Sequence, residues 1–218
     1  MKHLNALKKA IVAGVLIGIG CTVYLNMDNS IAASFLFGLG LFTIINLELN
    51  LFTGKIGYLG KNNYIEILIT LIGNAIGVNI MAFLIKQTRL NDRLVEKAIP
   101  IVDNKLSDTY ISLFLLAVFC GMLMFIAVAT FKKQPNILGT LAVFLCVSVF
   151  ILAGFEHCIA NMFYLGLVST PTKYFLPLIV MILGNSTGGI LLCKLTKDGQ
   201  IKKEIAYLFL LHRTQFSI

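Results

Sequence analysis

Six stretches of this chain run for about the length of a membrane crossing with almost no charge. Residues 10–27, 31–47, 64–85, 109–131, 136–155 and 174–193 carry one charged side chain among them, Glu66. A crossing helix needs about 20 mostly apolar residues at 1.5 Å rise each. A soluble domain has no interior large enough to hide six such runs. Composition agrees: hydrophobic residues make up 58% and charged residues 13%, with a mean hydropathy of +0.88. An ordinary soluble domain carries about twice that share of charge. The expected fold is all-α integral membrane, one channel-like domain over residues 1–218.

The first run follows Lys2, Lys8 and Lys9, an arrangement that also opens secretory signal peptides. No small-x-small cleavage site follows it and five more runs do, so it reads as a retained first helix. Connections are short except for 86–108, whose Asp92, Glu96, Asp103 and Asp108 suggest a solvated outer loop.

Lysine and arginine set the orientation. With six spans, one side holds Lys2, Lys8, Lys9, Lys61, Lys132, Lys133, Lys194, Lys197, Lys202, Lys203 and Arg213. The other holds Lys86, Arg89, Arg93, Lys97, Lys105 and Lys173, so the count is eleven against six. Both termini are therefore expected in the cytoplasm, the chain being multi-pass in the plasma membrane. The net charge of +8 is mostly this signal. A nucleic-acid partner would need a clustered basic face with aromatic readers, which is absent. The five cysteines fall in the runs or, for Cys158, just past the fifth, without metal-ligand spacing, so they read as packing residues. No cofactor or metal is implied.

The chain repeats itself. Gly73-Asn74-Ala75-Ile76-Gly77 in the third run is matched by Gly184-Asn185-Ser186-Thr187-Gly188 in the sixth, 111 residues on. A three-span unit reverses direction when repeated, so the halves would be inverted repeats: 1–85 and 109–197, with 86–108 as an extracytoplasmic loop and 198–218 as a cytoplasmic tail. Glu48-Leu49-Asn50 and Glu156-His157-Cys158 interrupt the second and fifth runs at corresponding places, 108 residues apart. Charge at that depth costs at least a few kcal/mol. Two such intrusions predict broken second and fifth helices, as transporters use to build their sites. Thr53-Gly54-Lys55-Ile56-Gly57 would supply the flexible backbone of the first break.

The residues that carry a family resemblance are now in view. Phe155-Glu156-His157-Cys158-Ile159-Ala160-Asn161-Met162-Phe163 and Leu51-Phe52-Thr53-Gly54, together with the two Gly-Asn elements, resemble the motifs of the formate/nitrite transporter family across all six spans. The resemblance implies an aquaporin-like fold and a homopentamer with one pore per protomer. It implies His157 as the central pore histidine, Thr53 as the loop threonine facing it, and Asn161 one turn on. It implies an apolar constriction at Leu51 and Phe150 on the cytoplasmic side and another at Phe37 and Leu41 on the outer side. The substrate would be a small monovalent weak-acid anion such as formate, nitrite or hydrosulfide, with a proton as its companion and the lipid bilayer as surroundings.

Physics makes sense of that arrangement. Apolar rings around a polar chamber exclude hydrated ions because desolvation is expensive. A weak-acid anion escapes the cost by taking a proton, and histidine is the side chain whose charge changes near neutral pH. On this reading His157 raises the anion's local proton affinity, directly or through its field. Each residue also has a plainer role. For a buried histidine it is bonding to backbone groups, and for Thr53 that of a loop hydroxyl. Without the resemblance Phe37, Leu41, Leu51 and Phe150 would be packing. Glu48 and Glu156 are expected to cap exposed N–H groups at the broken helices, where a carboxylate meets the positive end of a helix dipole.

Two departures stand out. The family commonly has a lysine in its fourth span, where this chain has the uncharged Leu115-Leu116-Ala117-Val118-Phe119-Cys120-Gly121. Lys55 stands where an uncharged polar residue is usual, and is expected to snorkel to the cytoplasm. The missing lysine keeps a rival open, an aquaporin-like channel for a small neutral solute. An enzyme would need clustered ligands at depth, which one histidine and scattered cysteines do not offer. Ile201, Ile205, Leu208 and Phe209 suggest an amphipathic surface helix in the tail.

Overall fold

The computed structural model describes residues 1–169 and 174–214, with side chains to Thr196. Among them the chain is all helical: α1 (Lys2–Asn26), α2 (Ser30–Asn46), α3 (Phe52–Lys55), a 3₁₀ turn (Ile56–Tyr58), α4 (Tyr64–Lys86), α5 (Asn91–Ser107), α6 (Tyr110–Lys133), α7 (Ile137–Leu152), α8 (Cys158–Val168) and α9 (Phe175–Thr214). Four helices are long and apolar enough to cross a membrane: α1, α4, α6 and Phe175–Thr196 of α9. Ser30–Asn46, Ile137–Leu152 and Cys158–Val168 are apolar but shorter. Leu183, Leu145 and Phe83 are among many exposed large apolar side chains, as a lipid-facing surface requires.

The second and fifth runs stop where polar residues intrude. After α2 the chain turns through Glu48, left-handed at φ 51. A side chain there costs about 1–2 kcal/mol relative to right-handed backbone. Lys9 Nζ donates to the Glu48 carbonyl at 3.2 Å. After α7 the same turn falls on Gly154, φ 71, where no Cβ opposes it. Each turn leads to an extended residue, Leu51 or His157, that opens a short helix.

α1 packs on α4 as α6 packs on α9, and α2 packs on α7. The first two pairs are close because glycine lets backbones touch. A Cβ on Gly77 would lie 2.1 Å from the Ile11 carbonyl oxygen, and one on Gly188 would lie 2.0 Å from that of Val118.

The segment 86–108 is not a solvated loop. Most of it is α5, whose Leu94, Ala98 and Val102 are buried one turn apart. That stripe packs α5 onto α8 and α1, and its charged residues other than Lys105 occupy the remaining faces. Lys173 and the side chains of the tail, Ile201 to Phe209 included, lie outside the described residues.

Candidate functional site

α3 and α8 begin deep in the structure, so the free N–H groups of their first turns need partners there. Two asparagines supply them. Asn74 Oδ1 accepts from Phe52 N–H at 2.8 Å, while its Nδ2 donates to the carbonyls of Ala10 and Asn50, each at 2.8 Å. Asn185 Oδ1 accepts from Cys158 N–H at 2.9 Å, and its Nδ2 donates to the carbonyls of Ala117 at 2.8 Å and Glu156 at 2.7 Å. Both side chains are fully buried. The expected carboxylate caps are therefore corrected: amides do that work, at no cost in buried charge.

Glu48 is exposed and faces no helix N-terminus. Glu156 is buried but occupied otherwise. Lys105 Nζ, arriving from the last turn of α5, donates to both its oxygens at 2.7 and 2.6 Å. Asn161 Nδ2 donates to its Oε2 at 2.6 Å and to Met181 Sδ at 3.0 Å. The fourth run indeed lacks a lysine, yet a cation reaches the site from the element before it. The signal was present in the sequence: Lys105 continues the stripe of Leu94, Ala98 and Val102.

His157 joins the two short helices. Its Nδ1 accepts from Ala160 N–H at 3.1 Å, capping α8, and its Nε2 lies 3.0 Å from Thr53 Oγ1. A nitrogen that accepts carries no proton, so the neutral ring holds its proton on Nε2 and donates it to Thr53. The Thr53 hydroxyl keeps its own hydrogen for another acceptor. Both side chains are buried.

Two cavities approach this pair from opposite ends. The one on the N-terminal side, about 580 Å³, is lined by Leu41, Leu51, Asn50, Gly54 and Lys55 among others. The other, about 350 Å³, is lined by Phe37, Phe150, His157, Glu156, Lys105 and Asn161 among others. The apolar residues thus sort as Leu41 with Leu51 and Phe37 with Phe150, not as the resemblance implied. Phe37 and Leu41 sit one turn apart on the same face of α2, one above the other. The Phe37 and Phe150 rings meet edge to face at 6.1 Å, and Phe150 stacks on His157 at 5.4 Å. Lys55 lines the N-terminal-side cavity, where its Nζ donates to Glu66 Oε1 at 2.9 Å. Among the described residues no three His, Cys, Asp or Glu side chains stand close enough to hold a metal ion.

Comparison with known proteins follows the same lines. The sequence model described as "Formate/nitrite transporter" matches residues 1–197. A formate-nitrite transporter of Plasmodium knowlesi (strain H) is 30% identical over 142 residues, 56% of this chain. The match covers 45% of that relative, so the chain spans about half the length of the curated protein it matches. A pentameric formate channel with formate bound superposes with a TM-score of 0.77 at 23% identity, over 96% of this chain and 98% of that one. An FNT family ion channel gives 0.78 at 22% identity, over 89% of each. At those identities the two structures establish likeness of fold.

Proposed function

Because the chain belongs to the formate/nitrite transporter family, we propose that it is a membrane channel for small monovalent weak-acid anions such as formate, nitrite or hydrosulfide. The observation that carries this reading is the buried Thr53–His157 contact, 3.0 Å long, with one cavity against His157 and the other against Leu51 and Gly54 beside Thr53; on this reading it stands in an apolar neck between them. Leu41 and Leu51 narrow one approach, and Phe37 and Phe150 the other. An anion entering the neck loses water, and loss of water raises its proton affinity. The Thr53 hydroxyl, itself accepting from His157 Nε2–H, offers the hydrogen bond that holds the anion while a hydronium ion from the more acidic side gives up its proton to it and remains as water. The neutral acid then crosses. His157 assists as a neutral donor, since protonating Nδ1 would break the cap on α8. Asn161 holds Glu156 in position beside Lys105.

The architecture that suits this function is two inverted three-helix repeats, each with a broken helix. The matched asparagine braces and the matched left-handed turns at Glu48 and Gly154 support it. The lysine and arginine bias supports cytoplasmic termini in the plasma membrane. Assembly as a homopentamer would extend to this chain the state of the pentameric formate channel that shares its fold.

One observation favours a second reading. Glu156 engages Lys105 through both oxygens, so that cation brings no net charge to its cavity, and a channel for a small neutral solute would need none. Uptake into proteoliposomes decides. Formate, nitrite and hydrosulfide are supplied at several external pH values, with glycerol and water flux beside them. Anion uptake that grows on acidification and collapses in His157→Asn supports the proposal. Anion uptake equal to empty liposomes while glycerol passes replaces it with the second reading.

A further inference from the structure

The cavity on the N-terminal side is far larger than the anion that the neck would take. At about 580 Å³ it falls among clefts that hold ligands of many atoms. A formate-sized anion would fill on the order of a tenth of it, taking roughly 30 Å³ per water-sized unit. Its walls carry an excess of cations. Lys2 and Lys9 from α1, Lys55 from α3 and Lys132 from α6 line it, against Glu48 and Glu66. Four positive charges less two negative leave an excess of two.

The carboxylates do not reach all of the lysines. Glu66 is engaged by Lys55 at 2.9 Å and by Lys2 at 3.8 Å. Lys9 Nζ donates to the backbone carbonyl of Glu48, which is uncharged. The Lys132 ammonium lies 4.8 Å from the centroid of the Tyr58 ring. Among the described residues neither Lys9 nor Lys132 has a carboxylate within ion-pair distance. Leu41 and Leu51 also line it; on the channel reading they narrow the way onward, so an occupant too large for the neck stops there.

We propose that this cavity binds a soluble multivalent phosphate, a di- or triphosphate group, which stoppers the pore from the N-terminal side. Several ammonium groups on separate helices suit compact, densely charged oxygens better than a single carboxylate. Binding stands on the cavity's own charges. Only the stoppering rests on the channel reading above. Anionic lipid headgroups offer the same chemistry at the membrane surface, so the experiment separates the two sources.

Pyrophosphate is titrated calorimetrically into the purified full-length protein in neutral detergent at low salt. Saturable binding is expected, weakened about tenfold or more by Lys55→Gln with Lys132→Gln, as loss of charged hydrogen bonds implies. Glu66→Gln, which removes the internal competitor, should tighten it. Lys97→Gln, the loss of one positive charge on α5 away from the cavity, should leave it unaltered. No binding, or equal weakening by Lys97→Gln, overturns the site. Displacement of pyrophosphate by anionic but not neutral lipid vesicles at constant salt assigns the cavity to a headgroup and overturns the soluble ligand. In oriented proteoliposomes, pyrophosphate on the N-terminal side alone should block formate flux. Binding without any formate flux leaves the site standing and removes the channel reading. Formate flux without binding does the reverse.

Discussion

Asn74 and Asn185 perform the same three-bond task on the two halves of the molecule. Each accepts from the first N–H of a short buried helix and donates to two carbonyls, one on the neighbouring long helix and one just before the short helix. Replacing Asn185 by alanine leaves Cys158 N–H and the Glu156 carbonyl without partners, while the Ala117 carbonyl keeps its bond within α6. Each orphaned group costs about 1–3 kcal/mol, so a loss of at least about 2 kcal/mol is expected. Asn185→Asp should cost about as much, because a carboxylate cannot donate to the two carbonyls. Thermal unfolding in detergent measures both. A melting temperature unchanged by either replacement would refute the brace.

The two nitrogens of His157 do different work, and substitutions can separate them. Asparagine is a good N-cap, so His157→Asn should keep the bond to Ala160 N–H and hold its stability. It loses the donor toward Thr53. His157→Leu loses both, and should cost about 1 kcal/mol of stability in addition. Thr53→Ser should keep flux and melting temperature, whereas Thr53→Val should remove flux and, by leaving the buried His157 Nε2–H without its partner, cost about 1–3 kcal/mol of stability. If His157→Asn is as unstable as His157→Leu, the capping bond contributes nothing.

What the sequence made legible was what could be read locally. Run length and lack of charge located the long helices. The Gly-Asn elements marked the places where α1 meets α4 and α6 meets α9. The motif around His157 brought Thr53 into consideration 104 residues away. Misreadings arose where charge was used as a marker of position. Glu48 was matched to Glu156, but the backbone matches Glu48 to Gly154 through their left-handed turns, and Asn50 to Glu156 through the asparagine braces. The role of Asn50 is steric and backbone-directed, and its side chain donates to the Ala6 carbonyl, so nothing in composition distinguishes it. Lys105 was hidden because the acidic residues around it suggested solvent. The buried period of Leu94, Ala98 and Val102 outweighs them, since burial of one face needs only one residue per turn.

That helix delivers the cation, and the pair it forms is a sharp test of the site's electrostatics. The Lys105 and Glu156 side chains are 16% and 5% exposed. Lys105→Met leaves a buried carboxylate with Asn161 as its remaining charge-stabilising partner, a change worth about 3–5 kcal/mol. Adding Glu156→Gln removes the stranded charge, so the double variant should recover most of that loss. A double-mutant cycle on detergent stability reads the coupling directly. Additive losses would mean that the two side chains do not act as a pair.

α5 is also tied to the turn between α1 and α2, and this tie has its own pH window. Asp28 accepts from Lys97 at 2.6 Å and pairs with Arg93 at 3.5 Å. The Lys97 hydrogen bond, then the charges of Lys97 and Arg93, hold its carboxyl below the ordinary value of 3.8. A carboxyl lowered by folding stabilises the folded form above its ordinary value, and the contribution is lost as pH falls through the folded value. The tie therefore stays intact across the range in which weak-acid uptake is to be measured. Amide exchange in α5, corrected for intrinsic rates, should differ between the parent and Asp28→Asn by a constant factor from pH 8 to about 5. The difference should close only below the ordinary carboxyl value. If it closes by about pH 6, release of α5 is part of any acid response, and uptake that rises on acidification would no longer report protonation of the anion alone.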